Sequence, residues 1–528
     1  MPFFCFPVYW TASYRGRCSM RFPRAAGILL HPTSLPGGYG IGELGKPAYG
    51  FVDFLAASGQ TLWQILPLGP TGYGDSPYAC FSAFAGNPLL IDLAWLAAEG
   101  DVDPQDLEQA PRFPTHHVDF GPVISYKTAV LQRAARTFRQ QAHGERRAAF
   151  DKFCADNADW VEDYALFIAL KDAHGGAVWN TWEPELAFRE PAALAAWRAR
   201  LDEAIFAQRY FQYQFFRQWE TLKKYANDRG VRIVGDIPIF VAYDSVDVWA
   251  HPDLFFLDED LLPTVVAGVP PDYFSATGQL WGNPLYRWEV MQEQGYAWWI
   301  ARIRQTFRTV DILRLDHFRG FAAYWAVPAG EPTAINGEWV EGPGAALFEA
   351  LRDALGELPI IAEDLGRITP DVEALRDQFE FPGMNILQFA FTSTAENPYL
   401  PHNLRPNSVI YTGTHDNDTT VGWYATREKT ELENLHGYLG PIAEPLHWAL
   451  IRMAYRSVAD MAIIPLQDVL GLGAEARMNT PGKFGGNWTW RFREEALSPE
   501  YRRKLRAMAQ TYGRVALDES EASRPDWM

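Results

Sequence analysis

Eight short apolar runs, most of which end in polar residues, place the strongest constraint on the fold of this chain. Helix-like segments separate the runs, and this alternation is typical of β/α units whose parallel strands are buried on both faces. Eight such units predict an α/β fold, a (β/α)8 TIM barrel with large helical and loop insertions. The runs are GILLHP from Gly27, TLWQILPL from Thr61, VRIVGDIPIF from Val231, DILRLDHF from Asp311, LPIIAEDLG from Leu358, MNILQFA from Met384, SVIYTGTHDN from Ser408 and MAIIPLQDVLG from Met461.

Two long intervals between the predicted strands indicate insertions. About 160 residues separate the second strand from the third, and their helical spacing of apolar residues predicts a mostly helical inserted subdomain at about 88–205. A segment rich in Pro and Gly at about 242–290 follows the third strand and predicts an active-site lid or loop insertion. Fewer than 60 residues follow the eighth strand. Residues 20–528 are therefore predicted to form one barrel without a C-terminal β-sandwich domain.

The first 19 residues precede the regular pattern, which begins at Met20. Two prolines interrupt their apolar stretch, and leading basic residues and an A-x-A site are missing, so this segment is a poor signal peptide. We expect residues 1–19 to be a disordered N-terminal extension or an artefact of start-codon choice. The sequence leaves both alternatives open.

Charge and cysteine usage exclude several classes of partner. The formal net charge is −18 and the pI is near 5.1, so phosphate backbones and anionic lipids are repelled, and neither nucleic acid nor a membrane is an expected partner. No apolar run reaches the roughly 18 residues of a spanning helix. The four cysteines, Cys5, Cys18, Cys80 and Cys154, form no CxxC pair, so neither a disulfide framework nor a zinc site is indicated. A reducing cytoplasm is the expected location.

The fourth strand, DILRLD, carries two charged residues on one face. Side chains alternate along a strand, so Arg314 and Asp316 share the interior face of the barrel with Ile312. Arg314 is expected to hold the Asp316 carboxylate ionised, because a nearby opposite charge favours the charged form. The alternative is a structural ion pair, since buried charges are paired wherever they occur.

Other strand ends also present acids at the same edge. The third strand ends its apolar part at Asp236, the fifth at Glu363 and Asp364, and the seventh at His415 and Asp416. Clustered carboxylates repel one another, so stability does not explain them. In a barrel of this kind the C-terminal strand ends meet at one mouth, where catalytic groups are found.

Paired carboxylates at such a mouth indicate glycoside chemistry. Glu363 follows three apolar residues, which raise the affinity of a carboxylate for a proton as a general acid requires. Asp316 remains an anion suited to nucleophilic attack. His317 and His415 stand beside two of the acids and are expected to hydrogen-bond sugar hydroxyls.

Signals for metals and nucleotides are weak. GIGELG matches a dinucleotide fingerprint, but ten residues separate it from the preceding strand. DNDTTV begins like a calcium loop, yet Val421 and Arg427 stand where Gly and Glu are needed. The chain has no H-E-x-x-H motif. No metal and no organic cofactor are predicted.

Ten motifs in fixed order resemble those of the 4-alpha-glucanotransferases, also called amylomaltases or disproportionating enzymes, of glycoside hydrolase family 77. The resemblance extends from Met20 to the last predicted helix. The motifs are HPTSLPG, PLGPTGYGDSPY, FAGNP, GDIPIFV, GVPPDYFS, GQLWGNPLY, RLDHFRG, AEDLG, GTHDNDT and RMNTPG.

The resemblance implies a role for each matched residue. Asp316 corresponds to the nucleophile, Glu363 to the general acid and base, and Asp416 to the acid that stabilises the distorted sugar. The remaining positions are implied to support these acids or to bind substrate: Arg314, Asp236, His317, His415, the lid residues Asp272, Phe274 and Trp281, and Tyr73, Ser76 and Tyr78 of the donor-side groove.

The implied activity is transfer of α-1,4-glucan segments between maltooligosaccharides or starch-like glucans by a retaining double displacement. Two alternatives stay open on the sequence. The first is an α-glucan hydrolase of the same fold, disfavoured by the missing C-terminal β domain. The second is a non-catalytic glycan-binding protein, disfavoured because all three acids are present. The oligomeric state is not predicted.

Overall fold

The computed structural model describes residues 22–271, 275–483 and 485–515, except for the side chain of Tyr73. The predicted extension at residues 1–19 and the lid residues Asp272 and Phe274 lie outside the described residues.

Every one of the eight predicted apolar runs contributes a strand to a parallel barrel. In the described residues the strands are β1 (Ala25–Leu29), β2 (Leu62–Gln64), β3 (Arg232–Pro238), β4 (Val265–Val269), β5 (Gln279–Pro284), β6 (Ile312–Asp316), β7 (Ala323–Pro328), β8 (Glu338–Glu341), β9 (Ile360–Ala362), β10 (Gly383–Ile386), β11 (Ser408–Tyr411) and β12 (Met461–Pro465). The order of the hydrogen-bonded barrel strands is β10-β11-β12-β1-β2-β3-β6-β9, and the Ala362 N–H donates to Pro382 O at 2.9 Å where β9 meets β10. The predicted TIM barrel is confirmed.

Helices surround the barrel and fill the long intervals. In the described ranges they are α1 (Lys46–Ala57), α2 (Leu93–Ala98), α3 (Pro104–Glu108), α4 (Phe120–Gln141), α5 (Gly144–Asp156), α6 (Ala158–Ala173), α7 (Pro184–Ala187), α8 (Pro191–Arg200), α9 (Asp202–Asn227), α10 (Val246–Ala250), α11 (Trp288–Glu293), α12 (Ala297–Thr309), α13 (Gly344–Leu355), α14 (Pro370–Gln378), α15 (Thr420–Ala425), α16 (Lys429–Leu439), α17 (Leu446–Arg456), α18 (Leu466–Leu470) and α19 (Pro499–Thr511). None of these helices is long and apolar enough to cross a membrane.

Alternation along β6 separates the barrel interior from its outer layer. Ile312 packs with apolar side chains of the other barrel strands inside, while Leu313 and Leu315 pack outward in the larger core shared with the helices. The buried Arg314 occupies the same face as Ile312. Because side chains alternate along β6, the Arg314 guanidinium lies in the barrel interior.

The helices α2–α8 all lie between β2 and β3, and α9 returns the chain to the barrel. The Gln212 amide of α9 accepts from Gly86 N at 2.7 Å and donates to Gly86 O at 2.9 Å, in the loop that follows β2. These paired bonds satisfy loop backbone groups that are removed from water. They hold α9 against the loop that follows β2, at the C-terminal end of the barrel strands.

A second sheet, which the sequence did not predict, stands beside the barrel. Its strands are antiparallel in the order β5-β4-β7-β8. The β4–β5 hairpin belongs to the segment predicted as a lid, whereas β7 and β8 follow the catalytic-strand candidate β6. The lid segment is thus anchored by a sheet rather than formed by loops alone.

Candidate active site

The acids Asp316 and Glu363 end neighbouring strands in matching positions. Leu315 of β6 is the register partner of Ala362 of β9, and each acid is the next residue of its chain segment. The ladder continues past this pair, since Glu363 N donates to Leu315 O at 3.0 Å. Adjacent strands lie about 4.8 Å apart, so the two carboxylates begin from backbone positions with about that separation.

Arg314 joins two acids from different strands inside the barrel. Its Nη1 atom donates to Oδ1 and Oδ2 of Asp236 at 2.8 and 2.6 Å, and its Nη2 atom lies 2.9 Å from Oδ1 of Asp316. Asp236 and Arg314 are direct register partners on β3 and β6. Burial raises the pKa of Asp236, and the guanidinium of Arg314 opposes that rise. The cation fixes the orientation of the Asp316 carboxylate through a charge-assisted contact.

Glu363 has an environment opposite to that of Asp316. Burial and the nearby Asp316 charge raise the pKa of Glu363 to about 7. Two backbone donors fix its side chain, His317 N at 2.7 Å from Oε2 and Leu365 N at 3.0 Å from Oε1. The site therefore holds one carboxylate bound to a cation beside another that keeps a proton close to neutral pH, which is the division of roles that glycoside chemistry requires.

Asp416 lies at the rim, with about half of its side chain (48%) exposed. His415 Nε2 lies 3.3 Å from its Oδ2 atom, and Asn479 Nδ2 donates to its Oδ1 atom at 2.6 Å. Partial removal from water favours the neutral acid, but the His415 ring and the Asn479 amide outweigh this and hold the pKa of Asp416 below its usual range. The charge of Asp416 in turn raises the pKa of His415 against the effect of burial.

Tyr78 connects Asp236 of β3 with His415 of the loop after β11. Its hydroxyl donates to Asp236 Oδ2 at 2.8 Å, and its ring stacks on His415 with centroids 5.0 Å apart. The Tyr78 N–H donates to Ser76 Oγ at 3.2 Å, so Ser76 orients the turn. Tyr73 begins the short 3-10 turn of this loop, and only its backbone is described.

The segment predicted as a lid contacts the residue that follows Asp316 through Trp281 of β5. The Trp281 ring, 39% exposed, meets the His317 ring edge-to-face with centroids 4.7 Å apart. Burial lowers the pKa of His317 to about 4, so this imidazole is neutral near pH 7 and offers an uncharged partner to sugar hydroxyls. His317 adopts a left-handed backbone conformation (φ 53°), which turns the chain sharply after Asp316.

Asp364, one of the acids predicted at the barrel mouth, makes structural contacts instead. Asp364 accepts from Arg376 Nη1 at 2.5 Å and from Met384 N at 2.7 Å, so it binds β9 to α14 and β10 and serves packing.

Sequence reasoning also missed Asn479 and Arg477. The Asn479 amide donates to the side chain of Asp416, and the Arg477 guanidinium donates to its carbonyl. Their signal was the RMNTPG motif after β12, which carried the family resemblance but no role. Within the described ranges, no group of three or more His, Cys, Asp or Glu side chains is arranged to hold a metal ion.

Known proteins match this chain over most of its length. A family model described as 4-alpha-glucanotransferase matches residues 30–497. A 4-alpha-glucanotransferase of Synechocystis sp. is 53% identical over 495 residues, covering 93% of this chain and 98% of its own. One of Thermus thermophilus is 53% identical over 504 residues, covering 94% of this chain and all of its own. A solved amylomaltase from Streptococcus agalactiae, in complex with acarbose, has a TM-score of 0.91 and 41% identity, covering 93% of this chain and 100% of its own.

Proposed function

Since the chain belongs to the 4-alpha-glucanotransferase family, we propose that Asp316, Glu363 and Asp416 carry the transfer of α-1,4-glucan segments by a retaining double displacement. One observation carries this proposal: the carboxylates of Asp316 and Glu363 start from matching positions on adjacent strands, in opposite electrostatic environments. The strand spacing of about 4.8 Å is close to the roughly 5–5.5 Å that separates the acids of retaining enzymes.

In the first step, an oxygen of the Asp316 carboxylate attacks the anomeric carbon of the donor. The bond from that carbon to the glycosidic oxygen breaks, and its electron pair stays on the oxygen, which takes the proton of Glu363. A shortened glucan with a free 4-hydroxyl leaves, while the donor segment is held as an ester on Asp316. Glu363 is then an anion.

In the second step, the 4-hydroxyl of an acceptor glucan enters the place of the leaving group. Its oxygen attacks the anomeric carbon, its proton passes to Glu363, and the electron pair of the ester bond returns to Asp316. The product has a new α-1,4 bond, and both acids are restored. Two inversions at one carbon retain the α configuration.

The other residues support the sugar and the acids. Asp416, ionised at the rim, stabilises the positive charge that develops on the sugar, and His415 with His317 contacts its hydroxyls. Arg314, Asp236 and Tyr78 position the nucleophile, while Tyr73 and Ser76 border the donor side.

A lid and an oriented acceptor favour transfer over hydrolysis. We assign this role to the segment at about 242–290, including Asp272, Phe274 and Trp281, and treat the helices at about 88–205 as an inserted subdomain of the barrel domain 20–528. A covered mouth excludes water and holds the acceptor hydroxyl near the ester, which gives transfer an entropic advantage.

The substrates we propose are maltooligosaccharides and longer α-1,4-glucans, with no metal, nucleic acid or membrane partner. The acidic net charge and the scattered cysteines support this and a cytoplasmic location.

Incubation with maltotriose alone tests the reaction. Glucose and oligomers longer than maltotriose should form together, with little net gain in reducing ends. A large gain would identify an α-glucan hydrolase, and an unchanged maltotriose pool would identify a glycan-binding protein.

A further inference from the structure

Trp339 of β8 is an exposed aromatic ring whose inner face is already occupied. The guanidinium carbon of Arg319 lies 3.9 Å from the ring centroid, and the Trp325 ring of β7 meets it edge-to-face at 5.3 Å. Nevertheless 40% of Trp339 is exposed. A ring held on one side by a cation and at its edge by a second ring presents its outer face to solvent in a fixed orientation.

Arg319 places this ring next to the catalytic segment. It lies three residues after Asp316, in the 3-10 turn Phe318–Phe321, and is buried. Its Nη1 atom donates to the carbonyl of Arg367, four residues after Glu363. One guanidinium therefore connects the loops that follow both acids, and Trp339 covers it.

The two exposed tryptophans of the small sheet contact the same short segment. Trp281 of β5 meets His317, and Trp339 of β8 covers Arg319, two residues further along. Both rings therefore contact the segment that directly follows Asp316. The position of Trp339 by the loop after Glu363 indicates the side of the site, because the leaving group, and then the acceptor, must sit where the general acid reaches its oxygen.

We propose that the outer face of Trp339 is an acceptor-side binding surface for an α-1,4-glucan chain, which stacks a glucose ring beyond the reacting one. The inference rests on the proposed roles of Asp316 and Glu363. Flat apolar faces of glucose match an indole ring, and a ring already immobilised by Arg319 and Trp325 loses little freedom on binding. A short acceptor such as glucose ends before this surface, so the surface favours longer acceptors.

Acceptor competition tests the proposal. With a starch-like donor, transfer to labelled glucose and to labelled maltotetraose is measured for the wild type and Trp339→Ala. Loss of one stacking contact should raise KM for maltotetraose about fivefold, as expected of an aromatic contact, and leave kcat and KM with glucose unchanged. An unchanged ratio of kcat/KM values for the two acceptors, or an equal loss for both, would overturn the proposal.

Matched variants separate stacking from packing. Trp339→Phe keeps a flat ring and should retain most of the preference, whereas Trp339→Leu covers Arg319 without one and should lose it. Phe188→Ala removes an aromatic ring that is 56% exposed on the inserted helices, and it should change neither acceptor. Wild-type release of reducing ends instead of transfer would refute the proposed function, whatever the Trp339 variants do.

A measurement that needs no Trp339 variant covers the case in which they misfold. In Asp316→Asn, whose slowed turnover preserves the added sugar during a short exchange pulse, hydrogen exchange of residues 338–341 should slow when maltotetraose is added. Unchanged exchange there would contradict the surface assignment. The proposal would also be overturned if the protein self-associated with rising concentration and maltotetraose did not reverse this. The Trp339 ring would then belong to a contact between two copies of the chain.

Discussion

Nη2 of Arg314 lies 2.9 Å from Oδ1 of Asp316, and both side chains project from the interior face of β6. The same guanidinium binds both oxygens of Asp236 through Nη1. The planar guanidinium therefore contacts two carboxylates, those of Asp236 and Asp316, which lie in different directions from it. The nucleophile candidate is therefore held by a cation that is itself fixed by a neighbouring strand.

Arg314→Lys should separate charge from geometry. Lysine keeps the positive charge, but a single ammonium cannot reproduce both sets of hydrogen bonds. We expect kcat to fall at least about a hundredfold, as for a lost positioning and electrostatic contact, together with a lower melting temperature. Steady-state kinetics and thermal unfolding check this. Wild-type kcat in the variant would show that the bridge has no catalytic importance.

Asp316→Asn removes the carboxylate that we propose forms the ester. The expected loss in kcat is roughly two to four decades, with the fold retained. Asp364→Asn is the matched control, because Asp364 is the packing acid that binds Arg376 and Met384 N. It should lower the melting temperature and leave most of the activity. Near-native turnover by Asp316→Asn would refute its assignment.

The pH dependence of transfer should report Glu363. Its pKa is raised from 4.5 to about 7, and the first step needs the protonated acid. The rate of that step should therefore fall as pH rises above about 7, by up to tenfold per pH unit. Pre-steady-state kinetics between pH 5 and 9 measure it. A rate that stays constant up to pH 9 would exclude Glu363 as the proton donor.

Glu363→Gln should also change how stability depends on pH. Because the folded pKa lies above the unfolded one, the folded state binds more protons between about pH 4.5 and 7, and stability falls as pH rises through that window. Glutamine removes this loss, so the variant should gain stability over the wild type at pH 8 and not at pH 4. Thermal unfolding at both pH values checks it. An equal difference at both pH values would contradict the raised pKa.

Tyr78→Phe removes a hydroxyl that donates to Asp236 and lies 3.4 Å from His415. Tyr411→Phe is its control, since the Tyr411 hydroxyl donates to Gln64 inside the same barrel. Both variants should lose stability, because each removes a buried hydrogen bond; Gln64 Oε1 loses the Tyr411 donor, whereas Asp236 Oδ2 loses the Tyr78 donor and keeps its guanidinium donor. Only Tyr78→Phe should lower kcat, by about tenfold, as expected for a lost hydrogen bond to a charged group. Equal kcat losses in the two variants would argue for a general packing effect.

Asn479→Ala removes the amide that donates to the rim acid Asp416. Solvent partly replaces that bond, so a loss in kcat of about fivefold is expected. Asn407→Ala, which removes a bond to Glu380 O just before β11, should have no kinetic effect. Stopped assays with maltotriose compare them. An activity loss shared by both would remove the role of Asn479.

The barrel was predictable because its signal is local. Each strand is a short apolar run with an acid or a turn behind it, and periodicity along β6 suffices to put Arg314 and Asp316 on one face. Residues whose partners come from distant segments were not predictable in the same way. Arg314 was expected to serve Asp316, but its shared bond to Asp236 depends on the register between β3 and β6. The contacts of Asn479 with Asp416 and of Trp339 with Arg319 join different chain segments and leave no periodic pattern in the sequence.

The pairing of β1 with β12 has a consequence for biosynthesis. Ala25 and Met461 are neighbours in the sheet, and Arg514 ties their ends together through the carbonyls of Ala25 and Asp460. On a ribosome, the first strand emerges long before its partner exists, so β1 and β11 keep open edges until translation is almost complete. Ring closure is therefore a late, non-local event, and the open edges of β1 and β11 are the places where nascent chains are exposed to edge-to-edge pairing.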